Sequence, residues 1–327
     1  MTTYNIDATS NRMYYMFPNA YFIDNGLLGG KLAFGVGFYV PAGLGVKWNG
    51  ADLTAFSAGS VFEWESKIGV MTIAPGAAFK INEIFAIGGT FNLNYAKLDM
   101  DMPIDTNSDT ILDTQFRESS SGWGMGFSIG AHIKPHPVIG FGVTYRHKYK
   151  VDLSGDAEMV GMMTDTFTRE VEWPMWVGFG VGVHPCEKIA IGFDVNWTNW
   201  KKSVDQWQTD YAGLMPDTTM ELNWEDTIQY RFGAEFKPTN SFAIRGGFVI
   251  DPAPCPDDTY TILMPSIDYK VITFGAGFDV TSNVRIDGSF EYYIGKEREI
   301  TTQTANNMIG THNMNIFMPT VGVNINL

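Results

Sequence analysis

The sequence predicts an all-β fold, a transmembrane antiparallel up-and-down β-barrel, and three observations carry that prediction. Apolar residues recur at every second position along the whole chain, with no helix between the segments. The two faces differ: one is large and aromatic, the other small, polar or charged. The connections alternate strictly between short and long, a pattern a soluble multi-sheet protein has no reason to keep. A soluble sandwich also buries one strand face, so the discriminating feature is the repetition with a polar second face, the expected lumen.

About thirteen strands are expected, near 13–23, 31–48, 66–80, 84–98, 122–134, 138–151, 172–184, 189–200, 227–237, 242–251, 270–280, 284–295 and 315–327. In the second, Leu32, Phe34, Val36, Phe38 and Val40 share a face opposite Ala33, Gly35, Gly37 and Tyr39. In the seventh, Val and Phe at odd positions of 177–183 alternate with Gly178, Gly180 and Gly182. In the eighth, Ile189, Ile191, Phe193, Val195 and Trp197 oppose Ala190, Gly192, Asp194 and Asn196. Phe34, Phe193, Phe232 and Phe248 are expected to face lipid, with Gly35, Asp194, Arg231 and Gly247 facing in. Short turns are expected at 24–26, 81–83, 134–137, 185–188, 237–241 and 281–283, all rich in Asn, Pro, Asp or Ser. Long connections fall near 49–65, 99–121, 152–171, 201–226, 252–269 and 296–314. In outer-membrane barrels the short turns face the periplasm and the long loops the exterior.

Composition is consistent with this class. The 327 residues suffice for one large barrel, read as a single domain over 1–327, and the mean hydropathy is −0.07. No stretch approaches the roughly 20 apolar residues of a membrane helix, but a strand needs only alternate ones. A net charge of −14 disfavours nucleic acid as a partner and reads as solvated acidic loops. Cys186 and Cys255 lack metal or redox spacing and are expected at opposite barrel ends, out of disulfide reach. Residues 1–7 carry no signal-peptide pattern. With an odd strand count, against the even count of bacterial barrels, this leads to the expectation of an N-terminally incomplete chain lacking at least one strand.

The lumen face carries a polar track of Arg231, Glu235, Arg245, Arg285, Asp287 and Glu291. Two readings stand: a compensating charge ladder that keeps the lumen wet, or a path that a substrate follows. Catalytic chemistry is not legible. The five histidines form no HExxH or Cys–His arrangement, and the Gly-x-Gly pairs lie mid-strand with no helix following. No cofactor or metal is implied.

Several segments, in order, resemble the FadL/TodX family of outer-membrane transporters for long-chain fatty acids and aromatic hydrocarbons. They are Phe38-Tyr39-Val40-Pro41-Ala42-Gly43-Leu44-Gly45, Glu172-Trp173-Pro174-Met175-Trp176, Asp194-Val195-Asn196-Trp197-Thr198-Asn199-Trp200 and Arg231-Phe232-Gly233-Ala234-Glu235-Phe236-Lys237-Pro238. The most specific is Asp251-Pro252-Ala253-Pro254-Cys255-Pro256-Asp257 followed by Met264-Pro265-Ser266-Ile267-Asp268. The resemblance implies a fourteen-stranded barrel with an N-terminal plug; neither the plug nor the first strand is visible here. It also implies residence in the outer membrane of a Gram-negative bacterium.

The function the resemblance implies is passive uptake of hydrophobic small molecules, with lateral release through a gap at an interrupted strand. Pro41, Ala42, Gly43 and Leu44 stand at the matching place, since Pro removes a ladder donor and Gly permits a bulge; a mere register-correcting bulge is the alternative. Met100, Met102, Met159, Met162 and Met163 fall in long connections and are read as apolar capture loops, or as loops packing on themselves. The acidic run Lys97-Leu98-Asp99-Met100-Asp101-Met102 would repel a carboxylate, favouring neutral compounds such as alkylbenzenes. Expected partners are the hydrophobic substrate, outer-membrane lipid and lipopolysaccharide, with the chain a monomer. The alternatives are a general porin, a barrel enzyme or an adhesin.

Overall fold

The computed structural model describes residues 6–304 and 307–327. The first strands are β1 (Ala20–Leu27), β2 (Leu32–Trp48), β3 (Trp64–Lys80), β4 (Phe85–Ile104), β5 (Thr114–His136) and β6 (Ile139–Arg146). There follow β7 (Tyr149–Met159), β8 (Met163–Trp173), β9 (Trp176–Cys186), β10 (Ile189–Thr198), β11 (Gln206–Tyr211) and β12 (Thr218–Glu221). The last are β13 (Thr227–Thr239), β14 (Phe242–Asp251), β15 (Tyr269–Asp279), β16 (Val284–Gly295), β17 (Arg298–Ile300), β18 (Gly310–His312) and β19 (Asn315–Ile325).

Antiparallel pairing runs β1–β2–β3–β4–β5–β6 and on through β9–β10–β13–β14–β15–β16–β19. These are the thirteen wall strands expected, as counted among the described residues. No pairing joins β1 to β19 among the described residues. Phe34, Phe193, Phe232 and Phe248 are all exposed on the wall's exterior. Aromatic contacts on this face include Tyr95–Trp123, with ring centroids 5.1 Å apart, and Phe127–His147 at 4.8 Å.

Three expectations are corrected. The turn expected at 24–26 lies at 28–31: Leu28, Gly29 and Gly30 take positive φ, and β1 continues to Leu27 through an irregularity after Asp24. The segments 138–151 and 172–184 are not single strands. They break at His147-Lys148 and at Pro174-Met175, where Pro174 has no N–H for a ladder. Much of the connections at 99–121 and 152–171 is strand, because β4 and β5 extend beyond the wall and β7–β8 form a hairpin.

The hydrophobic phase inverts where strands leave the membrane. In the lower part of β4, Ile87 and Phe91 are exposed, Phe91 by 48%. In its upper part Leu98 and Met100 are only 2% and 3% exposed, while Lys97, Asp99 and Asp101 take the other face. Lipid on the outside selects apolar-out alternation. Water on the outside selects the reverse, as in a soluble sheet. In β2 the switch coincides with a one-residue bulge between Tyr39 and Ala42, which turns Ala42, Leu44 and Val46 inward.

An outer lobe grows from β5, which changes partner from β6 to β7. Gly122 and Gly124 lie at this crossing, where a Cβ would run into the Asp152 and Lys150 carbonyls. β8 pairs with β7, β11 with β8 and β12 with β11. Inside the lobe Arg169 grips Glu118 through two hydrogen bonds of 2.7 and 2.9 Å and donates to the Thr209 hydroxyl.

Candidate functional site

β2 is fully laddered on one side and partly unladdered on the other. Towards β3 its pairing runs from Leu32 to Trp48 apart from the bulge. Towards β1 it stops at Ala20↔Phe38 and resumes only as the single bridge Ser10↔Trp48, with Asn11 N–H donating to the Lys47 carbonyl. Pro41, Ala42, Gly43 and Leu44 all lie in this unladdered stretch. Over it runs the segment 12–19, whose Phe17 ring and Tyr15 hydroxyl fill the space that a Cβ at Gly43 or Gly45 would need. Ile6 and Ala8 pack on the apolar core at the outer end of the lumen. The N-terminal segment thus straps the edge of β2.

That core closes the outer end. Val70, Leu98, Val151 and Leu153 from the upper strands meet Tyr260, Ile262, Leu263, Met264 and Ile267 from the connection at 252–268. The proline-dense stretch therefore folds inward as a cap, and the outer part of the lumen is apolar rather than polar. Its backbone groups are satisfied: the Trp48 indole donates to the Ile262 carbonyl at 2.9 Å, and the Ser66 hydroxyl to that of Leu263. Arg298 pins the cap from β17, donating to Asp257 at 2.8 Å, to the Ser266 carbonyl at 2.7 Å and to the Cys255 carbonyl at 2.8 Å. Its guanidinium lies 4.8 Å from the Tyr260 ring centroid, and His312 sits 4.6 Å from the same ring. Burial pushes the Tyr260 hydroxyl up to about 12 and lowers the His312 imidazole below its usual range.

The polar track divides. Glu235, Arg245, Asp287 and Arg285 form one network: Arg245 meets Glu235 and Asp287 at 2.7 Å each, and Arg285 meets Asp287 at 3.1 Å and Asp279 at 2.8 Å. Arg231 and Glu291 stand outside it. Arg231 donates to Gln229, and Glu291 accepts from the Tyr293 hydroxyl at 2.8 Å. Across the lumen, β3–β5 carry an uncharged row: Thr72 donates to Asn94, Thr90 to the Asn92 carbonyl oxygen of its side chain, and Asn92 to Ser128 at 3.1 Å. Beside this row lies a cavity of about 560 Å³ whose lining includes Gly37, Tyr39, Ala74, Thr90, Ser128 and Thr144. Among the described residues no His, Cys, Asp or Glu cluster could hold a metal ion.

The methionines do not share one surface. Met100 and Met102 lie on β4, Met159 ends β7 and Met163 begins β8, so only Met162 is in a turn. Met100 is buried in the outer-end core, and Met102, Met159 and Met163 pack on a second cluster around Phe116, Phe167 and Met215. Met162 is 57% exposed. The acidic run at 97–102 also differs from expectation. Asp99 and Asp101 point away from the lumen and are paired, with Lys97 at 2.8 Å and Arg117 at 3.2 Å. Tyr15, Phe17, Tyr260 and Arg298 were not singled out by sequence reasoning. The apolar run Tyr260–Met264 in a long connection was the available signal for the cap.

Comparison with known proteins places this geometry. Residues 4–322 match the profile of a family described as outer membrane protein transport protein (OMPP1/FadL/TodX). An outer membrane protein of Neisseria meningitidis is 21% identical over 55% of this chain and 41% of its own length, so the chain spans less than half of that relative. The long-chain fatty acid transport protein of Escherichia coli is 20% identical over 82% of this chain and 68% of its own. The solved structure of the Ralstonia pickettii toluene transporter TbuX is similar with a TM-score of 0.77 at 17% identity, covering 97% of this chain and 84% of that one.

Proposed function

Because the chain belongs to the OMPP1/FadL/TodX family of outer-membrane transport proteins, we propose that it carries hydrophobic small molecules passively inward and releases them sideways into the bilayer. No bond is made or broken. The observation that carries this reading is the unladdered edge of β2 from Tyr39 to Val46, opened at the Pro41 bulge. An apolar molecule dissolves better in the bilayer than in periplasmic water, so exit through this edge runs downhill. The apolar cap fits a hydrophobic substrate better than the open, charged constriction of a general porin. Outer-membrane lipid, including lipopolysaccharide, surrounds the exposed aromatic band, and the working unit is a monomer.

Pro41→Val is expected to restore a donor to β2, narrow the edge and slow uptake of a labelled alkylbenzene or fatty acid several-fold, with the barrel still folded. The combined Pro41→Val/Gly43→Val variant should slow it further, since a side chain at 43 adds bulk along the same edge. Uptake at the parent rate in both would reduce the interruption to a bulge. Met162→Ser is expected to lower the initial capture rate without changing thermal stability, since Met162 is the exposed member of the methionine set. An unchanged capture rate would remove this turn from the pathway.

A further inference from the structure

The two ends of the barrel differ in charge. Over the whole chain acidic residues outnumber basic ones by 36 to 22. The short turns, which form the periplasmic end of an outer-membrane barrel, reverse that balance. Lys31, Lys80, Lys134, Lys188 and Lys237 stand at 28–31, 80–84, 134–138, 186–188 and 237–241, where the carboxylates are Glu83 and Glu187. Four of these lysines face one another in pairs. The Lys80 N–H donates to the Lys31 carbonyl at 2.7 Å, which sets the two residues opposite each other at the foot of β2 and β3. The Lys237 N–H donates to the Lys188 carbonyl at 2.8 Å, which does the same at the foot of β10 and β13. Like charges directly opposite on neighbouring strands cost stability. Lys80 and Lys237 are relieved by Glu83 at 2.7 Å and Glu235 at 3.3 Å. Lys31, Lys134 and Lys188 are exposed and make no ion pair among the described residues.

Alternation places all five on the lumen side of the rim. Lys31 continues the phase of Ala33 and Gly35, Lys80 that of Ala78, Lys134 that of His132, Lys188 that of Ala190 and Lys237 that of Glu235. Beside them Phe79, Ile133 and Phe236 are exposed on the lipid face. The ammonium groups are therefore presented to the mouth of the lumen and not to the surrounding headgroups. Their spacing is regular: the seams β2–β3, β5–β6 and β10–β13 are separated by three strands each along the wall. With neighbouring strands about 4.8 Å apart, successive sites lie roughly 15 Å from one another. A small anion cannot bridge that distance. An extended polypeptide, at about 3.3 Å per residue, covers it in roughly five residues.

We propose that the periplasmic rim is a docking surface for an acidic polypeptide, a periplasmic protein that lays an extended run of Asp and Glu across the mouth of the lumen. The inference concerns the end of the barrel opposite the cap and does not depend on which molecule is carried. Lysine suits such a partner, because a point charge on a flexible stem follows a carboxylate without demanding one fixed geometry. Attraction of this kind speeds encounter and weakens as salt is added. The outer end, where the acidic residues are concentrated, repels the same partner and so gives the docking its side.

The test uses the full chain in nanodiscs and two labelled ten-residue peptides, one of glutamate and one of alternating glycine and serine. The parent protein is expected to bind the glutamate peptide alone, with an affinity that falls as salt rises. Lys31→Gln/Lys188→Gln, which removes two unpaired turn charges, should weaken that binding at least fivefold and flatten its salt dependence. Lys201→Gln/Lys202→Gln, two neighbouring exposed or half-buried lysines in the outer connection at 201–226, should leave it unchanged. Equal binding of both peptides, or equal losses from the two double variants, would overturn the assignment. So would a rim variant that binds the peptide like the parent but retains less phosphatidylglycerol on purification, since the lysines would then belong to lipid headgroups. Heat-modifiable electrophoretic mobility confirms that each variant is folded.

Discussion

Replacing Arg169 by alanine should loosen the outer lobe by about 3–5 kcal/mol, because it strands the nearly buried Glu118 carboxylate without its partner. The two side chains are 8% and 3% exposed. Arg169 also donates to Thr209 on β11 and lies against Phe167, 5.2 Å from its ring centroid, so one residue ties β5, β8 and β11 together. Hydrogen exchange over 149–173 and 206–221 should speed up sharply in Arg169→Ala, while the wall below stays protected. The paired change Glu118→Leu/Arg169→Met should do less damage than either single truncation, because no charge is left buried alone. Unaltered exchange in Arg169→Ala would mean the lobe is held by its ladders and apolar cluster alone.

The second large effect is expected at the cap. Arg298→Ala removes charge-assisted bonds to Asp257 and to the Ser266 and Cys255 carbonyls, each worth about 1.5–3 kcal/mol, and uncovers one face of Tyr260. The connection at 252–268 should then swing off the lumen. Two readouts follow: small sugars should enter proteoliposomes faster, and the buried Cys255 thiol should become reactive in a Cys186→Ser background. Acid should work in the same direction. Burial lowers the His312 imidazole below its usual range, so the opened cap binds a proton more readily than the closed one. Its contribution is therefore complete above the ordinary histidine value of about 6.5 and fades as pH falls below it. His312→Gln should flatten that dependence. A cap that stays shut in Arg298→Ala, by both readouts, would transfer the closing role to its apolar packing.

Comparing β4 with the β7–β8 hairpin shows what sequence periodicity can resolve. Ile87, Phe91 and Tyr95 announce a strand because large residues alternate with small or polar ones. Above Tyr95 the strand continues, but the face that must be apolar changes side, so a single phase of alternation ends near Leu98. In β7 the buried face is Val151, Leu153, Gly155, Ala157 and Met159, partnered by charged or polar residues in water. Read with the lipid-facing rule, this looks like a loop. For the same reason four of the five methionines lie on strands rather than in loops, at positions that follow from ladder extension.

Alternation along a strand is a local property of the chain, so order alone sufficed for the all-β class, the wall strands, most turns and the outward phenylalanines. Pro41 marked the interruption of β2 because the lack of an N–H belongs to the residue itself. The cap, the strap and the pairing of the lumen charges depend on residues far apart in sequence. Trp48 and Ile262 are 214 positions apart and yet bonded, and Phe17 reaches Gly43 only because β1 leaves β2 at Ala20. Whether a lumen arginine has a carboxylate is likewise a matter of which side chains the curved wall brings within about 4 Å. The sequence shows the charges of Arg231, Arg245 and Asp287 alike, and folding alone pairs the last two and leaves the first hydrogen-bonded to Gln229.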